Sequence, residues 1–293
     1  MTWILFTLLA AFMQSWRNAF QSHLSDEVKT LGVTLSRFLW ASPIAAIYLI
    51  ILYAANAPVS LPHFTPRFFS FIVAASLMQI LATALMVQLF KLNNYAIGAG
   101  LAKSEALAAA ILGVLFFGTT LTILGWIGVF IGGIGIFMLS TTNGWKGLSI
   151  GTITLGLCCG SAFALTSLWV REASLSLDLP FPYNAGWVLL FVLSLQTLLL
   201  VGYIFIRDKP TLQALWQRPK LTFLTSATSC IGSIGWFSAM SLQAVPYVKT
   251  LGQVEIFFTM LISIFWLKQK VKIKDGLGLT LVAIAAVLVM WIE

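Results

Sequence analysis

Leu101-Ala102-Lys103-Ser104-Glu105 returns later in the chain as Leu251-Gly252-Gln253-Val254-Glu255, and this repetition decides the predicted fold. Both segments stand near the start of an apolar stretch. Because a glutamate inside an apolar stretch is costly, its recurrence in the same setting indicates an internal duplication. We therefore predict two related halves, residues 1–143 and 147–293. The alternative is a likeness between two apolar helices that comes from composition alone.

The composition around these segments is that of a membrane protein. Of the 293 residues, 59% are hydrophobic and 9% are charged, and the mean hydropathy is +0.96. A soluble domain carries about 25% charged residues, so this chain does not cover itself with a water-facing surface. A soluble enzyme, a nucleic-acid binder and a disordered chain are excluded. The predicted surroundings are a lipid bilayer.

Charged residues divide the chain into apolar runs, and a helix that crosses a bilayer needs about 20 such residues. The ten predicted spans lie near residues 3–22, 32–54, 69–90, 96–117, 121–141, 148–170, 183–206, 221–242, 246–267 and 275–292. Five spans per half is an odd number, so the second half enters the membrane in the opposite direction. The predicted fold is an all-α polytopic membrane protein with ten transmembrane helices in two inverted five-helix repeats, an architecture of secondary transporters.

The basic residues predict the orientation of the chain. Most lie in connections after odd-numbered spans, namely Lys29, Lys91, Lys146, Arg207, Lys209, Arg218, Lys220, Lys268, Lys270, Lys272 and Lys274. Arg67 and Arg171 lie in connections after even-numbered spans. Because cytoplasmic connections are enriched in Lys and Arg, we predict cytoplasmic odd connections and external termini.

Several short motifs resemble the EamA-type transporters of the drug/metabolite transporter superfamily. They are Trp16-Arg17-Asn18, Ser36-Arg37-Phe38-Leu39, the Glu105 and Glu255 segments, Gly125-Trp126-Ile127-Gly128 and Gly276-Leu277-Gly278. The resemblance covers nearly the whole chain and implies two five-helix halves in a bacterial inner (cell) membrane. Ala106 and Ile256 stand where family members usually have proline after the repeated glutamate. The family is usually drawn with cytoplasmic termini, opposite to the orientation that the basic residues predict.

Ionisable side chains inside the spans are the candidate functional residues, because each costs roughly 2.5–3.5 kcal/mol to insert. They are Arg17, Arg37, Lys103, Glu105, Lys249 and Glu255, a set with an excess of positive charge. The predicted substrate-binding residues are Trp16, Asn18, Arg37, Trp40, Lys103, Trp236, Tyr247, Lys249 and Gln253. Glu105 and Glu255 are predicted either to carry a coupled proton or to hold the two halves together through ion pairs or hydrogen bonds.

Helical geometry refines this set of candidates. On a continuous helix Lys103 and Glu105 lie about 200° apart, so we expect only one of them to face a cavity. Lys249 and Gln253 are four residues apart and share a face, whereas Glu255 points elsewhere. Lys103 and Gln253 are then the strongest candidates for contact with substrate, together with Arg37 at its anionic end.

These features favour a secondary transporter over an enzyme. The sequence has no His-Glu-x-x-His motif, no paired-aspartate motif and no ATP-binding loop, so we expect no cofactor, no metal and transport driven by a gradient or by exchange. The positive site with aromatic walls favours amino acids or related metabolites, exported by alternating access, with protons as a candidate coupling ion. The alternatives are a transporter of organic cations or quaternary amines, a membrane-embedded enzyme, and a channel or accessory subunit. We expect a monomer or a homodimer and no nucleic-acid partner.

Overall fold

A computed structural model describes residues 1–55, 60–92, 102–141, 149–265 and 275–291. Every regular element in these ranges is a helix, which confirms the prediction of an all-α chain. The α-helices are α1 (Thr2–Ser25), α2 (Thr30–Phe38), α3 (Ala41–Ala55), α4 (Pro66–Leu92), α5 (Glu105–Phe116), α6 (Ile123–Thr141), α7 (Ile150–Leu175), α8 (Tyr183–Arg207), α9 (Lys209–Trp216), α10 (Pro219–Leu242), α11 (Val245–Leu251), α12 (Glu255–Phe265) and α13 (Asp275–Met290).

Four helical stretches are long and apolar enough to cross a membrane. They are Thr30–Ala55, Pro66–Lys91, Ile150–Leu175 and Tyr183–Arg207. Their outer faces carry large exposed side chains such as Ile50 and Ile206. Contiguous apolar surface of this kind suits contact with lipid, and it agrees with the composition of a membrane protein.

Helices α1 and α10 differ from these four because both bury many polar side chains. Arg17, Asn18 and Gln21 of α1 are buried, as are several serine and threonine residues of α10. The two helices pack along much of their lengths. A Cβ at Gly235 would lie only 2.7 Å from the carbonyl oxygen of Phe6, so the absence of a side chain there permits the close approach. The polar interior therefore lies beside this pair.

The most extensive helix contacts join an early part of the chain to a late part. Helix α1 packs on α10, α4 on α7, and α6 on α13. In each pair one helix comes from residues 1–141 and the other from residues 149–290. The core is thus shared between these two stretches. The predicted junction between the halves, residues 143–147, lies outside the described residues.

The second predicted span, 32–54, is confirmed as the helical stretch Thr30–Ala55, which is interrupted between α2 and α3. Helix α2 ends at Phe38 and α3 begins at Ala41. Pro43 explains the break, because proline lacks an N–H and its ring clashes with the carbonyl of the residue four positions earlier. The Ser226 hydroxyl fills the interruption by accepting from the Trp40 N–H at 3.1 Å and donating to the Ser36 carbonyl at 2.5 Å. A side chain inserted into the backbone ladder in this way is a common cause of helix kinks.

The ninth predicted span, 246–267, is also interrupted, as its described residues show. Helix α11 ends at Leu251, a 3₁₀ turn covers Gly252–Val254, and α12 begins at Glu255. The matching place in the first part of the chain is similar, since Lys103 and Ser104 form a turn and α5 begins at Glu105. Each repeated glutamate is therefore the first residue of a helix, where the helix dipole favours a negative charge.

Six basic residues assigned to connections lie within the described helices instead, namely Arg67, Lys91, Arg171, Arg207, Lys209 and Lys220. Arg67 is in the first turn of α4, and Arg171 is within α7. Arg171 Nη1 donates to the carbonyl oxygens of Met240 and Gln243 at 2.6 Å each. It thereby binds carbonyls at the end of α10 that have no partner within the helix. The packing of α7 on α10, which sequence periodicity does not reveal, explains the misplacement of Arg171.

Candidate functional site

A polar pocket lies in the interior between α1, α2, α4, α5, α7, α10, α11 and the start of α12. Its volume is about 30 Å³, much less than the roughly 300–1,000 Å³ of ordinary small-molecule sites. Its charged lining residues are Arg37, Lys103, Glu105, Lys249 and Glu255. Its polar lining residues are Gln14, Asn18, Gln79, Thr166 and Ser233. The lining also includes Trp236, Phe237 and Phe163, so charged groups and aromatic surface meet in a small buried volume.

Glu255 is bound by side chains from the early part of the chain. It is fully buried. Its Oε2 pairs with the Lys103 ammonium and accepts a hydrogen bond from Gln14 Nε2 at 2.5 Å. Its Oε1 accepts from Asn18 Nδ2 at 2.9 Å, and Arg17 donates to the amide oxygen of Asn18. Three donors satisfy this carboxylate, so its negative charge is fully compensated within the protein.

Glu105 is bound by side chains from the late part of the chain. Its Oε1 lies 2.7 Å from Lys249 Nζ and accepts a hydrogen bond from the Ser167 hydroxyl at 3.2 Å. The Lys249 ammonium also lies 4.1 Å from the centre of the Trp236 ring, within the range of a cation–π contact. The two lysines thus cross over, and each repeated glutamate pairs with the lysine of the other part of the chain.

One residue of α1 connects the two carboxylate centres. Gln14 donates from Nε2 to Glu255, while its Oε1 accepts from the Trp236 indole N–H at 2.8 Å. Trp236 in turn covers Lys249, the partner of Glu105. The two centres are therefore linked through pocket side chains by the hydrogen bonds of Gln14 and by the contact of Trp236 with Lys249.

Arg37 enters the pocket from the end of α2 with a different set of partners. The residue is 2% exposed. Its Nε donates to Ser229 Oγ at 3.2 Å and its Nη1 donates to Thr83 Oγ1 at 2.6 Å. The guanidinium also lies 5.2 Å from the centre of the Phe38 ring and 5.8 Å from that of Phe163. Its hydrogen-bond partners in the described part of the chain are hydroxyl groups.

The broken helices correct two expectations about which side chains face together. Lys103 and Glu105 both line the pocket, although a continuous helix would separate them. Lys249 and Glu255 line it together as well, whereas Gln253 does not. The expectation failed because the backbone leaves the α-helical path before each glutamate, so the 100° step per residue does not hold there.

Four predicted binding residues lie away from this pocket. Trp16 faces an apolar groove with Phe258, and Trp40 makes an edge-to-face contact with Trp216. The Tyr247 hydroxyl accepts from the backbone N–H of Thr122 at 3.2 Å. The Gln253 amide packs on α6, where a Cβ at Gly132 would lie 2.2 Å from its Oε1. Asn18, Arg37, Lys103, Trp236, Lys249 and both glutamates are the predicted residues that the fold brings together.

Several pocket residues were missed by sequence reasoning, although a helical pattern marks them. Gln14 precedes Asn18 by one helical turn, so the two share a face of α1. Ser233, Trp236, Phe237 and Met240 occupy one face of α10, and all line the pocket. Gln79 of α4 also lines it and accepts from Gln196 Nε2 at 2.7 Å. Uncharged polar residues are common inside helices, so this pattern alone does not single them out.

Comparison with known proteins gives a likeness in fold. No family model and no curated protein sequence matches the chain. A solved structure described only as "Crystal structure of protein" superposes with a TM-score of 0.71, covering 98% of this chain and 95% of the other at 14% sequence identity. At that identity the likeness shows the fold alone.

Proposed function

We propose that this chain is a multi-pass membrane transporter with ten spans in two inverted halves, of the EamA type. The pairing of helices supports this arrangement. Exchanging the halves sends α1 to α7 and α10 to α4, so the α1–α10 pair maps onto the α7–α4 pair, and the α6–α13 pair maps onto itself. With the broken helices joined, the described helices other than α9 group into ten spans. The halves are residues 1–143 and 147–293.

The proposed activity is secondary active transport of small polar metabolites such as amino acids. The observation that carries it is the polar pocket between the halves, closed by the ion pairs Lys103–Glu255 and Lys249–Glu105. In inverted-repeat transporters the substrate binds between the repeats, and helices interrupted near the site contribute to it. The breaks before Glu105 and Glu255 have that character.

The pocket chemistry favours a small polar substrate. Ammonium, guanidinium and carboxylate groups stand together with aromatic rings, which offers partners for both charges of an amino acid and a surface for its side chain. A volume of about 30 Å³ holds little beyond water. In the proposed cycle this is a closed state, and the halves separate to admit substrate from one side at a time.

The Trp236 ring favours a second candidate substrate class. Its face already contacts the Lys249 ammonium, and aromatic faces of this kind also bind quaternary amines. A transporter of organic cations is therefore the competing proposal. The two proposals differ in the charge of the preferred substrate. The excess of basic groups in the lining would repel organic cations.

Transport by purified protein in liposomes tests these proposals. We expect counterflow of labelled amino acids into proteoliposomes preloaded with the same amino acid, faster with an imposed pH gradient if protons are coupled. Protein-free liposomes and the Glu105→Gln variant serve as controls. Movement of a quaternary amine without any amino acid would favour the competing class. Movement of neither would overturn the transport proposal.

The proposed setting is the inner membrane of a bacterium, with both termini on the external side and export as the direction. The basic residues of the odd connections, such as Lys29 and Arg218, support this orientation. A protease added to intact cells is expected to remove a tag from the C-terminus. A tag that is cleaved only after the membrane is opened would reverse the orientation.

A further inference from the structure

The charges of the pocket do not cancel. Lys103 pairs with Glu255, and Lys249 pairs with Glu105 at 2.7 Å. Each of these contacts joins one cation to one carboxylate, so neither contributes net charge. The remaining charged lining residue is Arg37. The lining as described therefore carries one uncompensated positive charge, which is that of Arg37.

Among the described residues, Arg37 forms no ion pair with a carboxylate. Its hydrogen bonds within the described part of the chain go to the hydroxyl groups of Ser229 and Thr83, and they use two of the five N–H donors of a guanidinium. The rings of Phe38 and Phe163 stabilise the charge in part. The charged groups close enough to act on it are Arg17 and Glu105, and Glu105 already pairs with Lys249. A buried charge of this kind is costly unless an anion joins it.

The lysines are poorer candidates for binding an anion. Lys103 would have to leave Glu255, and Lys249 would have to leave Glu105 and the Trp236 ring. Either move exposes a buried carboxylate that has lost its cation, which costs several kcal/mol. Arg37 can bind an anion without leaving any carboxylate of the described residues. Its planar guanidinium can also form a bidentate pair of hydrogen bonds with a carboxylate, which an ammonium cannot form.

We propose that Arg37 binds the carboxylate of the transported substrate, and that Lys103 and Lys249 serve the contacts between the halves instead. The substrate class is thereby narrowed to molecules with one carboxylate, such as amino acids. This inference rests on the proposed function, because it assigns a role within the same pocket. The hydroxyls of Ser229 and Thr83 hold the guanidinium in place for that role.

Binding and transport of matched substrate pairs test the role of Arg37. Leucine and leucinamide differ in the carboxylate, and both are measured by ligand-induced shifts in the melting temperature of detergent-purified protein and by competition for amino-acid counterflow. We expect the wild-type protein to prefer leucine. Arg37→Gln is expected to reduce that preference by about 10- to 100-fold, the effect of losing hydrogen bonds to a charged group. Arg37→Lys is expected to retain part of it.

The control is Arg67→Gln, an exposed arginine of α4 that lies outside the pocket. It is expected to keep the wild-type preference for leucine. If Arg37→Gln does not yield folded protein, the preference of Arg37→Lys for leucine over leucinamide is the deciding measurement. A preference equal to that of the wild-type protein contradicts the binding of the carboxylate by Arg37. Wild-type protein that moves leucine and leucinamide equally overturns the inference while leaving transport intact. Wild-type protein that binds and moves neither contradicts the proposed function instead.

Discussion

The two repeated glutamates occupy matching places in the sequence, but their surroundings differ. Glu255 accepts from Lys103, Gln14 and Asn18 and is fully buried. Glu105 accepts from Lys249 and Ser167 through a single oxygen. The partners of Glu255 come from α1 and from the turn before α5, whereas those of Glu105 come from α7 and α11. The Glu255 carboxylate thus has three described donors on its two oxygens, whereas the Glu105 carboxylate has two described donors on one oxygen.

The two glutamates therefore hold matching places in the sequence but bind different sets of residues. The residue that matches Lys103 in the second segment is Gln253, which turns toward α6. The lysine that binds Glu105 stands at position 249 instead, one turn earlier relative to its glutamate. The two crossed ion pairs are therefore similar in function, although they do not arise from equivalent positions.

Replacing Glu255 by glutamine is expected to have the largest effect. The change leaves the Lys103 ammonium buried without its carboxylate, which costs about 3–5 kcal/mol. We expect a lower melting temperature in detergent and a reduced yield of monodisperse protein.

The matched control is Glu105→Gln, which is expected to cost less. Lys249 keeps its contact with the Trp236 ring in that variant, and fewer hydrogen bonds are lost. A Glu105→Gln protein that is less stable than Glu255→Gln would reverse the ranking of the two centres.

Combining Lys103→Met with Glu255→Gln is expected to recover part of the lost stability. Removing both charges leaves no unpaired ion, and replacement of a buried pair by neutral groups is often close to neutral. The four proteins of this double-mutant cycle should give a coupling of about 0.5–3 kcal/mol from their free energies of unfolding. Additive losses would mean that the two side chains do not interact.

Gly160→Ala disturbs the Glu105 centre without changing any charge. A Cβ at this position would lie 2.1 Å from Ser104 Oγ and 2.9 Å from the backbone nitrogen of Glu105. Overpacking of this kind costs about 1–3 kcal/mol, so the melting temperature should fall. Gly202→Ala is the matched control, because a Cβ there meets nothing within 4 Å, and it should be neutral or slightly stabilising.

The smallest effect is expected at an exposed ion pair that also joins the two parts of the chain. The Lys29 ammonium lies 2.8 Å from Asp208, and together with Thr211 it holds the pKa of that carboxyl below its usual 3.8. A lowered pKa in the folded state gives stability that is present above pH 3.8 and is lost as the pH falls through the folded value.

The acid limb of the stability curve measures this contribution. Asp208→Asn should flatten the fall in melting temperature below about pH 4 and change it little at pH 7, because exposed pairs contribute little. The effect should shrink in high salt. An equal loss at pH 7 and at pH 3 would show that Asp208 acts through something other than its charge.

Sequence reasoning found all five charged residues of the described lining, since Arg37, Lys103, Lys249 and both glutamates are conspicuous in apolar surroundings. It offered ion pairs as one role of the two glutamates, but it did not assign Lys103 to Glu255 or Lys249 to Glu105. The helices were treated as continuous, and a continuous helix keeps Lys103 and Glu105 on different faces. The breaks depend on local backbone departures and on contacts such as that of Ser226 with the interruption between α2 and α3. Residue spacing in the sequence does not predict those contacts.

Hydropathy and charge spacing were sufficient to predict helices and an apolar surface, because both depend on short stretches of chain. The meeting of the charges depended on the fold. Lys103 and Glu255 are 152 residues apart in the chain, and Gln14 and Glu255 are 241 apart. No local pattern couples such distant positions. The packing of α1 against α10 and α12, and of α5 against α11, brings them together. The same packing forms the pocket in which Arg37 has no carboxylate partner among the described residues.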